Sequence, residues 1–238
     1  MSITVMKRKE MKFLLSAYQT AFLRERLQGH MEIDQYGKTS IASLYYDTPN
    51  YRLIRASMEK PAFKEKIRLR SYGLATETSP VFLELKRKAK GVVYKRRIET
   101  TIPQVERFFA GKEDLRADSQ IDREITAFRD FYGTLQPACL IIYDRTAYFE
   151  PDGDLRLTID EAPRYRMETM TLTDSMDGSP LMAYGRTILE VKVQDAVPLW
   201  LTEILSAGQI RTGSFSKYGE AYKRRLTHSQ TDAYKRSA

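Results

Sequence analysis

The sequence predicts an α+β chain of about eight or more strands, on three observations. Segment after segment alternates apolar and charged residues with a period of two, the mark of a strand lying between a core and a polar face. Amphipathic stretches with helix-capping residues separate these segments. The chain has 238 residues, 42% of them hydrophobic and 29% charged, which is enough for a sizeable core and excludes a mainly disordered protein. With no fixed-period repeat and no linker rich in Pro, Gly or Ser, one domain over 1–226 and a polar tail over 227–238 are expected.

The elements follow in order. Lys9 to Leu15 reads as a strand, and Ser16 to Gly29 as a helix, with Ser16 and Gln19 as capping box, Phe22, Leu23 and Leu27 as apolar stripe and Gly29 as stop. Ile41 to Asp47 is a second strand, closed by the Thr48-Pro49-Asn50 turn and followed by a short helix, Tyr51 to Met58. Three strands are expected at Phe63–Tyr72, Val81–Lys88 and Val92–Ile102, the last two joined at Lys90-Gly91. Pro103–Ala110 and Ser119–Tyr132 read as helices. Strands return at Ala138–Phe149 and Leu155–Asp160 around a Pro151-Asp152-Gly153 hairpin, then at Arg164–Leu172 and Thr187–Val193. Pro198–Ala207 and Lys217–Leu226 are the last helices.

Charge narrows the function. The formal net charge is +8, and the stretch from Lys60 to Glu99 alone holds twelve Lys and Arg against four Asp and Glu, so the rest of the chain is balanced. A basic block of this size points to a polyanionic partner, without choosing among nucleic acid, anionic lipid and phosphate. One cysteine, Cys139, and two histidines, His30 and His228, argue against a disulfide and against a thiolate or imidazole zinc site; a metal, if used, should be a hard ion on carboxylates. Cys139 and Trp200 read as packing residues and His30 as solvated. No run approaches the roughly 20 apolar residues of a spanning helix, so a cytoplasmic address is expected.

The strand alternation places the charges together. Lys66, Arg68 and Arg70 share a face, as do Glu84, Lys86 and Lys88, then Lys95, Arg97 and Glu99. Arg156, Thr158 and Asp160 repeat the pattern, with Glu190 and Lys192, and with Glu10 and Lys12. Such a face is either the solvated side of an open sheet or the inside of a closed barrel with helices covering its apolar exterior. In the second case the lumen is a cationic tunnel, favourable only when a long, thin polyanion enters, and its mixture of Arg and Lys suits a chain of phosphates. The interspersed carboxylates are either internal counter-ions or ligands of Mg²⁺ or Mn²⁺ shared with phosphate oxygens.

Seven segments then resemble one family in order: Lys7-Arg8-Lys9-Glu10-Met11-Lys12-Phe13, Ser43-Leu44-Tyr45-Tyr46-Asp47, Ile67 to Gly73, Phe82 to Lys86, Tyr143 to Ala147, Leu189 to Lys192, and Phe215-Ser216-Lys217-Tyr218. This is the order of the VTC (vacuolar transporter chaperone) polyphosphate polymerase domain, a triphosphate tunnel metalloenzyme related to the CYTH group, and the likeness runs from about Lys7 to Leu226. It implies an eight-stranded antiparallel tunnel-shaped β-barrel with amphipathic helices outside. It also implies that Arg68, Arg70, Lys86, Arg145 and Arg156 act on the transferred phosphate. Lys12, Lys95, Tyr143, Lys192, Ser216 and Lys217 would bind triphosphate or polyphosphate, and Glu190, with Glu10 next, would hold Mn²⁺ or Mg²⁺. Two positions depart from the pattern. Arg8 stands at the first Glu of the superfamily's ExExK signature, a basic residue shared by polymerase-like members, and Ser214 replaces a lysine of the polymerases, where Arg211 is a candidate substitute.

Three function classes follow. In the first, the γ-phosphate of ATP passes to a growing polyphosphate chain; the attacking phosphate oxygen is already anionic, so no general base is needed and few histidines suffice. The second is metal-dependent hydrolysis of tripolyphosphate or nucleoside triphosphate. The third is a non-catalytic polyphosphate-binding module. Single-stranded nucleic acid fits less well, because Tyr94 lies on the apolar side of its strand, and no specific nucleic acid is expected. The expected partners are ATP and inorganic polyphosphate, with room for a separately encoded membrane partner that brings the protein to a membrane.

Overall fold

The computed structural model describes residues 9–59, 61–90, 92–115 and 119–236, with backbone alone over 228–236; Lys7, Arg8, Lys60 and Gly91 lie outside the described residues. In chain order the elements are β1 (Lys9–Leu15), α1 (Ala17–Arg26), β2 (Glu32–Asp47), α2 (Arg52–Met58), β3 (Phe63–Tyr72), β4 (Val81–Ala89) and β5 (Val92–Thr100). Then come α3 (Ile102–Phe109), α4 (Gln120–Tyr132), β6 (Gln136–Phe149), β7 (Arg156–Arg166), β8 (Ser179–Pro180), β9 (Thr187–Val193), α5 (Leu199–Ala207) and α6 (Lys217–Arg236). The strands form one sheet in the order β1-β9-β7-β6-β2-β3-β4-β5, with β8 on β7.

The chain divides into two compact units, one of residues 1–40, 143–164 and 180–216, the other of 41–142, 165–179 and 217–238, so that β2, β6 and β7 each contribute to both. Each unit has its own core, and each core is the apolar side of the predicted alternation. In the first, Phe13, Leu15, Leu157, Ile159, Leu189 and Val191 pack with Leu23 and Leu27 of the α1 region and Leu201 and Leu205 of α5. In the second, Ile67, Leu69, Leu83 and Leu85 pack with Val105 and Phe108 of α3 and Ile125 and Phe128 of α4. Each fully buried Leu or Ile contributes about 1.5–3 kcal/mol, so the spacing of two along the strands fixes which side faces water.

Local signals set the helix starts. Gln19 N donates to Ser16 Oγ at 3.1 Å and Ser16 N donates to Gln19 Oε1 at 3.0 Å, the expected capping box. Gln19 Nε2 also donates to the Gly208 carbonyl at 3.1 Å, fixing α1 against the end of α5. His30, exposed as expected, stacks on Trp200 with ring centres 4.3 Å apart, and Cys139 is buried.

Four boundaries differ from expectation. β2 begins at Glu32, nine residues before Ile41, because its first half is polar and bends at Gly37 (φ +58°), so no alternation announces it. Arg164–Leu172 is not a separate strand: β7 runs on to Arg166 through Pro163, with Ala162 at φ +43°, a proline tolerated at an irregularity. Helix α6 continues ten residues past Leu226 into the expected tail, since neither Gly nor Pro stops it and Lys223 pairs with Glu220 at 2.8 Å. The two-residue β8 has no sequence signal.

Candidate functional site

In the second unit the antiparallel register of β2 to β5 lines up the charged side chains in rows. Lys66, Lys86 and Lys95 form one row; Tyr45, Arg68, Glu84 and Arg97 form the next; Ser43, Arg70, Phe82 and Glu99 form a third. Directly opposed side chains lie about 5 Å apart, so each row brings its head groups together. Glu84 is the hub. Its side chain is 1% exposed, and its oxygens lie 2.7 Å from Lys95 Nζ, 2.8 Å from Arg68 Nη2, 3.7 Å from Arg70 Nη1 and 3.8 Å from Arg97 Nε. Burial alone would raise its pKa, but Arg68, Arg70 and Lys95 outweigh burial and bring it down to about 2. Four cations thus surround one carboxylate. The excess shows at Lys95, whose pKa falls below its ordinary value through burial and the positive charges of Arg70 and Arg68, despite Glu84.

Neighbouring groups hold these cations in place. Arg68 Nη1 donates to Tyr45 Oη at 3.0 Å, and Arg70 Nε donates to Ser43 Oγ at 3.4 Å. Tyr45 stacks on Tyr218 with ring centres 4.8 Å apart, and Tyr218 Oη donates to buried Asp47 Oδ2 at 2.9 Å. Asp47 in turn accepts from the backbone N–H groups of Leu53 and Ile54, which anchors the start of α2. Burial and Asp47 push the Tyr218 pKa up, keeping its hydroxyl a donor. Tyr218 is the second residue of α6, so the same contact sets where that helix, and Lys217 at its first position, begins. Lys86 is exposed on its strand.

The first unit carries a different cluster. Lys12 faces Glu190 and Thr158 across β1, β9 and β7, and Glu10 faces Lys192 and Arg156 in the adjacent row. Lys12 Nζ lies 2.8 Å from Glu190 Oε1, while Arg145 Nη2 and Lys192 Nζ lie 3.8 and 3.7 Å from Oε2. Arg145 grips fully buried Asp160 with two bonds of 2.6 and 2.9 Å and lies over the ring of buried Tyr143. Burial opposes the Arg145 charge, but Tyr143, Asp160 and Glu190 prevail and hold its pKa above the ordinary value. Lys12 Nζ also reaches the Phe215 carbonyl, next to Ser216, at 3.5 Å. Arg156 behaves differently from its row partners: its Nη1 donates to the Leu155 carbonyl at 2.9 Å and to that of Gly153 at 3.3 Å, closing its own hairpin. Ser214 and Arg211 are exposed.

No group of three or more metal-ligating side chains occurs among the described residues. Glu190 and Glu10, diagonal neighbours on one face of the β1–β9 pair, nevertheless suit a hard divalent ion that draws its other ligands from phosphate and water. Lys12 neutralises Glu190.

Several site residues were not singled out from sequence. Glu84 and Arg97 sit on the charged face of their strands and were legible as members of it; their convergence needs the register of three strands. Asp160 likewise ends the Arg156-Thr158-Asp160 alternation, but only the fold brings Arg145 to it. Thr158 Oγ1, buried beside Glu190 with no hydrogen-bond partner among the described residues, gives no signal beyond its parity.

A VTC domain family model matches residues 7–225. Among solved structures, a candidate adenylate cyclase from Bacillus halodurans is 14% identical over 89% of this chain and 96% of its own, with a TM-score of 0.55. A candidate adenylyl cyclase from Hippeastrum, described as having a dominant triphosphatase activity, is 20% identical over 88% of this chain and 92% of its own, with a TM-score of 0.50. No curated protein matches. The antiparallel sheet with helices is the CYTH-like tunnel fold that the ordered motifs imply.

Proposed function

Because the chain belongs to the VTC domain family, we propose that it is a polyphosphate polymerase that transfers the γ-phosphate of ATP to the end of a growing polyphosphate chain. The observation that carries this reading is Glu84, a single buried carboxylate among Arg68, Arg70, Lys95 and Arg97. That arrangement holds a standing excess of positive charge in a partly desolvated place, and a phosphate chain relieves it.

In the proposed step a terminal phosphate oxygen attacks Pγ, one O–Pγ bond forms as the bond from Pγ to the β-bridging oxygen breaks, and ADP leaves. The attacking oxygen carries no proton to remove, so catalysis rests on alignment and charge neutralisation. Arg68 and Arg70 are the groups assigned to the transferred phosphate: their guanidinium planes are fixed by Tyr45, Ser43 and Glu84, and a fixed plane suits two phosphate oxygens at once. Lys86 and Lys95 add point charges in the neighbouring row. In the first unit Arg145, Lys12 and Lys192 are assigned to phosphate oxygens, with Arg156, Tyr143, Ser216 and Lys217 as further contacts implied by the family. Glu190 and Glu10 would hold Mg²⁺ or Mn²⁺, which would supply neutralisation of phosphate charge.

ATP and inorganic polyphosphate are the proposed partners. No helix among the described residues is long and apolar enough to cross a membrane; a cytoplasmic location, with membrane association through a separate partner, is part of the proposal. Incubation with γ-labelled ATP and Mn²⁺, followed by separation of polymer, phosphate and nucleotide, tests the reading. Label in chains with release of ADP supports it. Label released only as phosphate assigns hydrolysis instead, and intact ATP with polyphosphate retained in a salt-sensitive manner assigns a binding module.

A further inference from the structure

The ribbon of β3, β4 and β5 changes character along its length. Neighbouring rows are about 7 Å apart, two residues along each strand. The first is all lysine (Lys66, Lys86, Lys95), the second is the Glu84 cluster, and the third already includes Phe82 between Arg70 and Glu99. Beyond it, on the same face of β3 as Lys66, Arg68 and Arg70, stands Tyr72, 48% exposed.

Tyr72 is exposed but not loose. Its ring meets Phe82 edge-on with centres 5.7 Å apart. Arg97 sits over the pair, its guanidinium carbon 3.5 Å from the centre of the Phe82 ring and 5.6 Å from that of Tyr72. Arg97 Nε has no hydrogen-bond partner among the described residues; stacking and the 3.8 Å approach to Glu84 hold it. A half-exposed ring held edge-on against Phe82 offers a platform whose ordering cost is already partly met, and a planar cation beside it extends the stacking surface. Tyr94, by contrast, points to the other side of its strand from Lys95 and Arg97 and adds nothing to this platform.

We propose that Tyr72, with Arg97 on Phe82, stacks the nucleobase of the donor nucleotide at the arginine end of the phosphate-binding rows. The inference rests on the ATP-donor reading and adds to it a base subsite and a polarity: phosphates toward Lys66, Lys86 and Lys95, base toward Tyr72. Stacking needs no particular base edge, so the platform takes purines without strict selection.

The test compares the binding of ATP and of inorganic tripolyphosphate by calorimetry in the parent protein, Tyr72→Ala and Tyr72→Phe, with thermal melts to confirm folding. The expected result is a rise of about tenfold in the ATP Kd for Tyr72→Ala, no change for tripolyphosphate, and near-parent ATP binding for Tyr72→Phe. Equal changes for both ligands, or no change for either, would overturn the subsite while leaving the phosphate rows in place. If the parent binds neither ligand, both the subsite and the function fall. Tyr72-dependent ATP binding in a preparation that makes no polymer from labelled ATP would support the subsite and overturn the polymerase reading.

Discussion

Replacing Glu84 by Gln keeps the shape of the hub and removes its charge, leaving Arg68, Arg70, Lys95 and Arg97 to face one another. Two estimates of the cost agree. A folded pKa of about 2 against an ordinary 4.5 corresponds to about 3 kcal/mol of stability at neutral pH. Breaking a buried ion pair by removing one partner costs roughly 3–5 kcal/mol. The pH dependence identifies the source. Because the folded pKa is the lower one, this stability is complete above about pH 4.5 and is lost as pH falls toward 2. Urea unfolding of parent and Glu84→Gln across that range should show a gap of about 3 kcal/mol at neutral pH that closes with acid. Tripolyphosphate should raise the melting temperature of the variant more than that of the parent, since a polyanion substitutes for the missing charge. A gap that stays constant through the acid range, or no gap at neutral pH, would refute the account of Glu84 as a charged hub.

Much of this arrangement was legible because strands have a period of two. Ile67 and Leu69 are fully buried while Lys66, Arg68 and Arg70 share the opposite side, as their parity requires. The capping box of Ser16 and Gln19 likewise placed the start of α1 within one residue. What parity cannot supply is partnership across strands. That Glu84 meets Arg68 and Arg97 depends on the register of β3, β4 and β5, and that Arg145 is held by Asp160 depends on where β6 and β7 place them. Nor does parity fix the direction of a long side chain: Arg156 shares a row with Glu10 and Lys192 yet turns to the carbonyl groups of its own hairpin. Elements without alternation were missed for the same reason, as the polar half of β2 shows.

The remaining predictions concern the metal, the start of α6 and the difference between the two clusters. Glu190→Gln should lose most Mn²⁺-stimulated turnover of labelled ATP while still binding tripolyphosphate in calorimetry; undiminished turnover would return Glu190 to a counter-ion role. Tyr218→Phe leaves Asp47 Oδ2 short of one donor and should cost about 1–3 kcal/mol, read from urea unfolding; an unchanged midpoint would show that the contact is not needed to hold α6. The last follows from charge ratios. In the first unit Lys12, Arg145 and Lys192 share Glu190 and Asp160, so that cluster is close to neutral and draws phosphate strongly only when a divalent ion comes with it. The Glu84 cluster, four cations to one carboxylate, needs no such help. Tripolyphosphate binding should therefore persist in chelator, fall about tenfold or more in Arg70→Ala, and change little in Lys12→Ala until Mn²⁺ is restored. Abolition of binding by chelator alone would show instead that the metal, and not the cation excess around Glu84, provides the primary grip on phosphate.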